Sequence, residues 1–291
     1  GYPGCAEAER YVHEQYQALG LANIARDAFQ IIVPVDRGAA LEVGSTRIPI
    51  HCVLPNYVRT PKTSETGLTG RLIWAGDAEL EEFNGKELWG SIVLMNFNTA
   101  TRWLDAAKLG ASAIIFLEPS QAFRTDAEQK YCLVPVPVPR YYLEAGRLPA
   151  LAAAVTGGRA QEFDQGQALA VVHALGLGQQ ASGTVVADMT WEECTVYRVC
   201  AEVPGSDPEL AYQTVVCHAC YDSTSVVPAL SPGAESACGI AAQLEIAEFL
   251  LKHPPRRTVK FLATPGHFQA LAGVRDYAFK TIYPLRKEAT G

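Results

Sequence analysis

The stretch that most constrains this chain runs from about 183 to 280. There "GTVVADM", "TVYRVCAEV" and "YQTVVCHACYD" read as apolar strands, the second closed by a "PGSDPE" turn. "AESACGIAAQLEIAEFLLKH" follows as one long helix, with Ile240, Leu244, Ala247 and Leu251 on one face and Pro254 and Pro255 ending it. "RTVKFLAT" is a further buried strand, and "FQALAGVRDYAFKTIY" reads as a last helix. Strand, helix, strand, helix with short joins predicts a parallel sheet with helices on both faces, a three-layer α/β arrangement. Strands are expected near 195–203, 213–220 and 257–263, with the 236–252 helix packed across them.

Upstream, the grammar differs. "GYPGCAEAERYVHEQYQALGL" carries Ala8, Val12, Tyr16 and Leu19 at helical spacing, with Gly20 as its stop. The strand "FQIIVPV" and extended "TRIPIHCVLP" follow. From about 65 the order is strand ("GLTGRLIWAG"), acidic loop, strand ("LWGSIVLMNF"), a helix with Ala100, Trp103, Leu104 and Ala107 on one face, and strand ("ASAIIFLEP"). "CLVPVPVPR" reads as extended chain that its prolines keep out of a central sheet position. This is a small α/β module, with "TGGRAQEFDQGQ" as its exit.

Composition narrows the function classes. The net charge of −7 and the lack of a basic run argue against a nucleic-acid partner. No apolar run approaches the roughly 18–20 residues of a membrane span. The eight cysteines, at 5, 52, 132, 194, 200, 217, 220 and 238, are too loosely spaced for a disulfide framework or a zinc ribbon, and read by default as small buried hydrophobes. The chain does not open on Met, which reads as a processed form or part of something longer.

No nucleophile elbow, P-loop or dinucleotide fingerprint occurs. Cys217 and Cys220 form a CxxC, but on a strand, where alternation turns them to opposite faces and no helix dipole lowers a thiol's pKa. Of the six histidines, His13, His51, His173 and His253 have ordinary structural settings. His218 and His267 lie at the C-terminal ends of strands, where open α/β sheets place their sites.

Three segments meet there: "CHACYDS", "SPGAESACG" and "ATPGHFQALAG". In order, spacing and flanking pattern they resemble the motifs of the two-zinc aminopeptidase and glutamate carboxypeptidase family, which includes the inactive transferrin receptor. "KELWGSIVLMNFNTATRWLDAAKLGASAIIFLEP" is similar to the protease-associated domain that many members insert. The resemblance implies a zinc-aminopeptidase-like sheet, incomplete at the C-terminus, formed by 1–60 and 165–291, with an inserted protease-associated module at 61–164. The first helix is then expected on the aminopeptidase-like part, and the edge beside strand 257–263 is expected to lie open to cover from elsewhere.

The same resemblance implies that the metal ligands have gone. The family's first zinc-binding His aligns with Cys220, its bridging Asp with Glu235, its general-base Glu with His267 and the neighbouring ligand Glu with Phe268. Asp222 is kept; in the family it orients the metal-bound His from behind. The last two ligands would lie beyond residue 291. Two-metal hydrolysis needs ions ~3.5–4 Å apart, so the expectation is no cofactor. The alternative is one zinc on Cys220, Glu235 and His267, since thiolate, carboxylate and imidazole all ligate it. A third reading pairs Cys220 as nucleophile with His267 as catalytic base and Asp222 as orienter. The expected function is a catalytically degenerate binding or assembly domain of a larger extracytoplasmic protein, its partner a protein or the remainder of a longer chain. The alternative is an amide hydrolase with a rearranged single-metal or Cys/His site.

Overall fold

The structure is a computed structural model and describes residues 3–55, 59–130, 135–231 and 233–284; the side chains of 234–236 also lie outside the description. In chain order the elements are α1 (Pro3–Leu19), β1 (Ala22–Val43), β2 (Thr46–Cys52), β3 (Leu68–Trp74), β4 (Ile92–Asn96), α2 (Trp103–Lys108) and β5 (Ala113–Leu117). Then come α3 (Arg124–Glu128), β6 (Arg140–Leu143), α4 (Leu148–Thr156), α5 (Gln165–His173), β7 (Ser182–Val203), β8 (Thr214–Cys220), α6 (Ala234–Lys252), β9 (Thr258–Thr264) and α7 (Ala272–Tyr277). This is a mixed α/β protein. It divides into two compact units, one of residues 1–33, 192–224 and 231–291, the other of 34–191 and 225–230.

In the first unit β8 and β9 run parallel in register from Thr214 beside Thr258 to Cys220 beside Thr264, and β9 pairs antiparallel with the second half of β7. β9 is therefore flanked on both edges. The open edge expected at 257–263 falls instead on β8, because the antiparallel β7 strand takes the other side of β9. α6 crosses this sheet with Ile240, Gln243 and Ala247 inward, and α1 packs beside it as expected. The two helices are joined at Tyr16, which is fully buried and whose hydroxyl donates to Gln243 Oε1 at 2.5 Å. Gln243 in turn donates to the Cys217 carbonyl at 2.8 Å, so both ends of a buried amide are used.

The second unit carries the β3–β4–β5–β6 ladder, all parallel between β3 and β6. Its strands are continuous apolar runs such as "IVLM" and "AIIFL", as strands buried on both faces require. Two cations lie inside it. Lys130 is fully buried and donates to the Ala100 carbonyl (3.1 Å) and Thr99 Oγ1 (3.3 Å), over the rings of Phe97 and Phe116. Arg140 donates to the Leu54 carbonyl from Nη2, while its Nε and Nη1 find no partner.

Three elements depart from expectation. The segment "TGGRAQEFDQGQ", 156–167, read as an exit, leads into α5, and α4 stands before it where no element was named. The two strands expected over 183–203 are one, β7. The last helix is shorter than "FQALAGVRDYAFKTIY": residues 265–271 are loop, with Ala270 and Leu271 at positive φ, and α7 starts only at 272. Part of the extended "CLVPVPVPR" stretch, 132–134, lies outside the described residues.

Candidate functional site at the C-terminal ends of β8 and β9

β8 delivers Cys220 and Asp222, and β9 delivers the 265–271 loop with His267 and Phe268. The two meet through Asp222. Its Oδ2 accepts from the Gly266 N–H at 2.7 Å and the His267 N–H at 3.2 Å, tying the loop after β9 to the loop after β8. Tyr221 adds a second tie, donating its backbone N–H to the Thr264 carbonyl at 3.1 Å. The turn is tight. Gly266 sits at φ +75°, and a Cβ on Gly273 would lie 2.4 Å from the Pro265 carbonyl oxygen, so the first turn of α7 approaches the loop as only glycine allows. The far end of α7 is fixed by Arg198, a buried guanidinium that donates to Asp27 (3.0 Å) and Asp276 (2.5 Å).

The electrostatics follow from burial. The Asp222 carboxyl is pushed up by desolvation, against the pull of the two backbone N–H groups. The Cys220 thiol is pushed up by burial and then by the Asp222 charge. Cys5, from α1, is raised to about 11 for the same two reasons. His218 is held down by burial and by the charge of His267; its Nε2 lies 2.8 Å from Thr264 Oγ1. Two polar atoms at this place are buried with no hydrogen-bond partner among the described residues: Asp222 Oδ1 and His267 Nδ1. The His267 ring stands edge-on to Phe268, with 4.9 Å between centroids, and Phe268 is itself exposed.

The structure thus ties Asp222 to the backbone of His267, with Cys220 two residues before Asp222 at the end of β8. Glu235 belongs to the first turn of α6, and its side chain lies outside the described residues. The sequence reading placed His218 at a site-bearing strand end but gave it no role, and it did not consider Thr264. The position of His218 near the end of a strand was the available signal, and its pairing with Thr264 depends on the β8–β9 register.

The fold is a mixed α/β one like that of zinc aminopeptidases. Residues 198–287 match the sequence profile of peptidase family M28. Among solved structures, a zinc aminopeptidase from Bacillus subtilis is 20% identical with a TM-score of 0.58, over 90% of this chain and 55% of that one. An aminopeptidase from Aneurinibacillus sp. strain AM-1 is 19% identical with a TM-score of 0.50, over 96% and 61%. A peptidase M28 precursor from Shewanella amazonensis SB2B is 18% identical with a TM-score of 0.56, over 99% and 64%. The chain spans 55–64% of the length of these solved structures. No curated protein matches it. The chain is similar to the two-zinc aminopeptidase family in fold and, over 198–287, in sequence.

These comparisons overturn the expectation of no cofactor, because the family and the fold's neighbours are zinc peptidases and point to zinc. The described residues do not by themselves supply the two-ion arrangement. Phe268 has no lone pair to offer, and among the described residues no group of three His, Cys, Asp or Glu side chains could hold a metal ion. No hydrolytic step through zinc follows from this donor set.

Proposed function

We propose that this chain is a catalytically degenerate aminopeptidase-like protein, acting as a binding or assembly domain of a larger protein outside the cytoplasm. The single observation that supports it most is the loop after β9, which offers His267 and an exposed Phe268, while the carboxylate seen to reach that loop among the described residues, Asp222, is engaged with backbone N–H groups. In the same reading 61–164 is an inserted protease-associated module, and 1–60 with 165–291 is the aminopeptidase-like part. What has gone is the two-ion arrangement and not zinc as such. Cys220, Glu235 and His267 are the residues that would hold a single ion. No helix among the described residues is long and apolar enough to cross a membrane.

A second reading, an amide hydrolase with a rearranged site, is favoured by Asp222 Oδ1 and His267 Nδ1, both buried without a hydrogen-bond partner among the described residues. Its Cys/His form is opposed by the raised Cys220 thiol, since a nucleophilic cysteine needs its thiolate stabilised. Release of 4-nitroaniline from aminoacyl-4-nitroanilides, with zinc added in excess, separates the readings. The proposal expects no turnover above the protein-free rate. Turnover that His267→Ala abolishes would establish the second reading instead.

A further inference from the structure

One loop of the first unit leaves it, and it is the loop that joins two of the site's segments. After residue 191 the chain belongs to the first unit except at 225–230, which the second unit holds. That stretch runs from "CHACYDS" to the start of α6, so in the chain it lies between Asp222 and Glu235. Its tip is apolar. Val226 and Val227 are buried in the core that also holds Phe97, Trp103 and Phe116, and the turn at 228–230 packs on β2. The Val226 carbonyl accepts from the Leu54 N–H at 2.8 Å. The Leu54 carbonyl accepts from Arg140 Nη2 at 2.9 Å, so the residue that holds the tip is itself held. Arg140 in turn lies over the Trp103 ring. At the base of the loop, Ser223 Oγ and Ser231 Oγ stand 2.8 Å apart and close it into a neck.

We propose that 225–230 is a strap through which the second unit sets the order of the site, with Val226 and Val227 as its anchor and as positioning residues for Asp222. A loop that served only as a connection would run polar over the surface. This one spends two buried valines between two site motifs. With the tip seated, packing in the second unit removes the loop's conformational freedom, and the serine neck closes at little further cost. With the tip free, closing the neck has to order the whole loop. Asp222, the residue before Ser223, then loses its fixed position. Its Oδ2 is what holds the Gly266 and His267 N–H groups, so the 265–271 loop loosens with it. The strap acts on the site of the proposed function and rests on that reading for its purpose alone. Its readout is backbone order, which neither zinc nor turnover enters. Site order that ignores the anchor removes the strap and leaves the reading. Turnover of aminoacyl-4-nitroanilides removes the reading and leaves the strap.

Hydrogen exchange of the whole chain, resolved to single amides, is the test. The Leu54 amide reports whether the tip is seated, and the Gly266 and His267 amides report the site. Val226→Ala and Val227→Ala together are expected to speed exchange at all three by about 10-fold or more. Leu151→Ala, in the other core of the second unit, is expected to leave Gly266 and His267 within about twofold of wild type. A short glycine–serine insertion after Thr224 slackens the strap but keeps both valines. It should leave Leu54 protected and speed Gly266 and His267. Faster exchange at Leu54 with Gly266 and His267 unchanged overturns the proposal. An unchanged Leu54 amide in the double variant also overturns it, because the valines are then not the anchor. So does an equal effect of Leu151→Ala, which would make the response one of general instability. Should the double variant fail to fold, the insertion decides alone, and Gly266 and His267 as slow as in wild type overturn the proposal.

Discussion

Lys130→Met should make the stability of this protein less dependent on pH, by an amount that can be worked out. Burial lowers the Lys130 amine from 10.5 to about 8, with Asp126 opposing. Between those two values the unfolded chain holds a proton that the folded chain has released, so stability rises with pH across the window. Below pH 8 the amine is charged in both states and the contribution is flat. From pH 7 to pH 9 the gain is about 1 kcal/mol, and it approaches ~3 kcal/mol above pH 10.5. Other groups move the opposite way. Cys52 and Tyr16 are raised by burial, so they keep protons in the fold that the unfolded chain gives up, and they lower stability in alkali. The difference between wild type and Lys130→Met cancels them. Methionine keeps the volume but loses the bonds to Ala100 and Thr99. Urea denaturation of both proteins at pH 7 and pH 9 should show wild type gaining about 1 kcal/mol on the variant. A difference constant to within ~0.3 kcal/mol would refute the account of a charged amine enclosed in the second unit.

Asp222→Ala removes the acceptor for two backbone N–H groups, and should destabilise by about 1–3 kcal/mol, offset in part by the loss of a buried charge. Proteolysis should report it first, by cleavage within 265–271. Gly273→Ala puts a methyl against backbone and the Thr264 side chain, neither free to move, and should cost about 2–4 kcal/mol in urea denaturation. The neighbouring Ala272→Gly should cost about 1 kcal/mol or less, the helix-propensity difference alone.

Much of this architecture was legible because it rests on local pattern. α6 was bounded by Pro254 and Pro255 and carried one periodic face, and β9 was a short apolar run between clear stops. The signals for α4 and α5 were present too: Pro149 and Gly157 at the two ends of α4, and the Asp164–Gln167 capping box on α5. Glycine and glutamine content outweighed them. The shortened α7 was not readable, because the residues that hold its preceding loop open are not local: Asp222, 44 residues before Gly266, takes the N–H groups a helix start would leave free. The edge assignment failed for a similar reason. Which strand ends a sheet depends on which long-range pairing wins, and β7 is separated from β9 by the whole of β8 and α6. At the site, residue types were readable from the motifs, while the orphaned atoms of Asp222 and His267 emerge only when β8 and β9 stand in register.

The central claim, that an aminopeptidase-like fold here lacks the two-ion arrangement, is tested most directly by counting zinc. Protein purified without chelator, equilibrated with micromolar zinc and freed of excess should carry clearly fewer than two equivalents by elemental analysis. Any bound ion should be lost on His267→Ala, with circular dichroism of the fold unchanged. Two stoichiometric equivalents in the wild type would contradict the account.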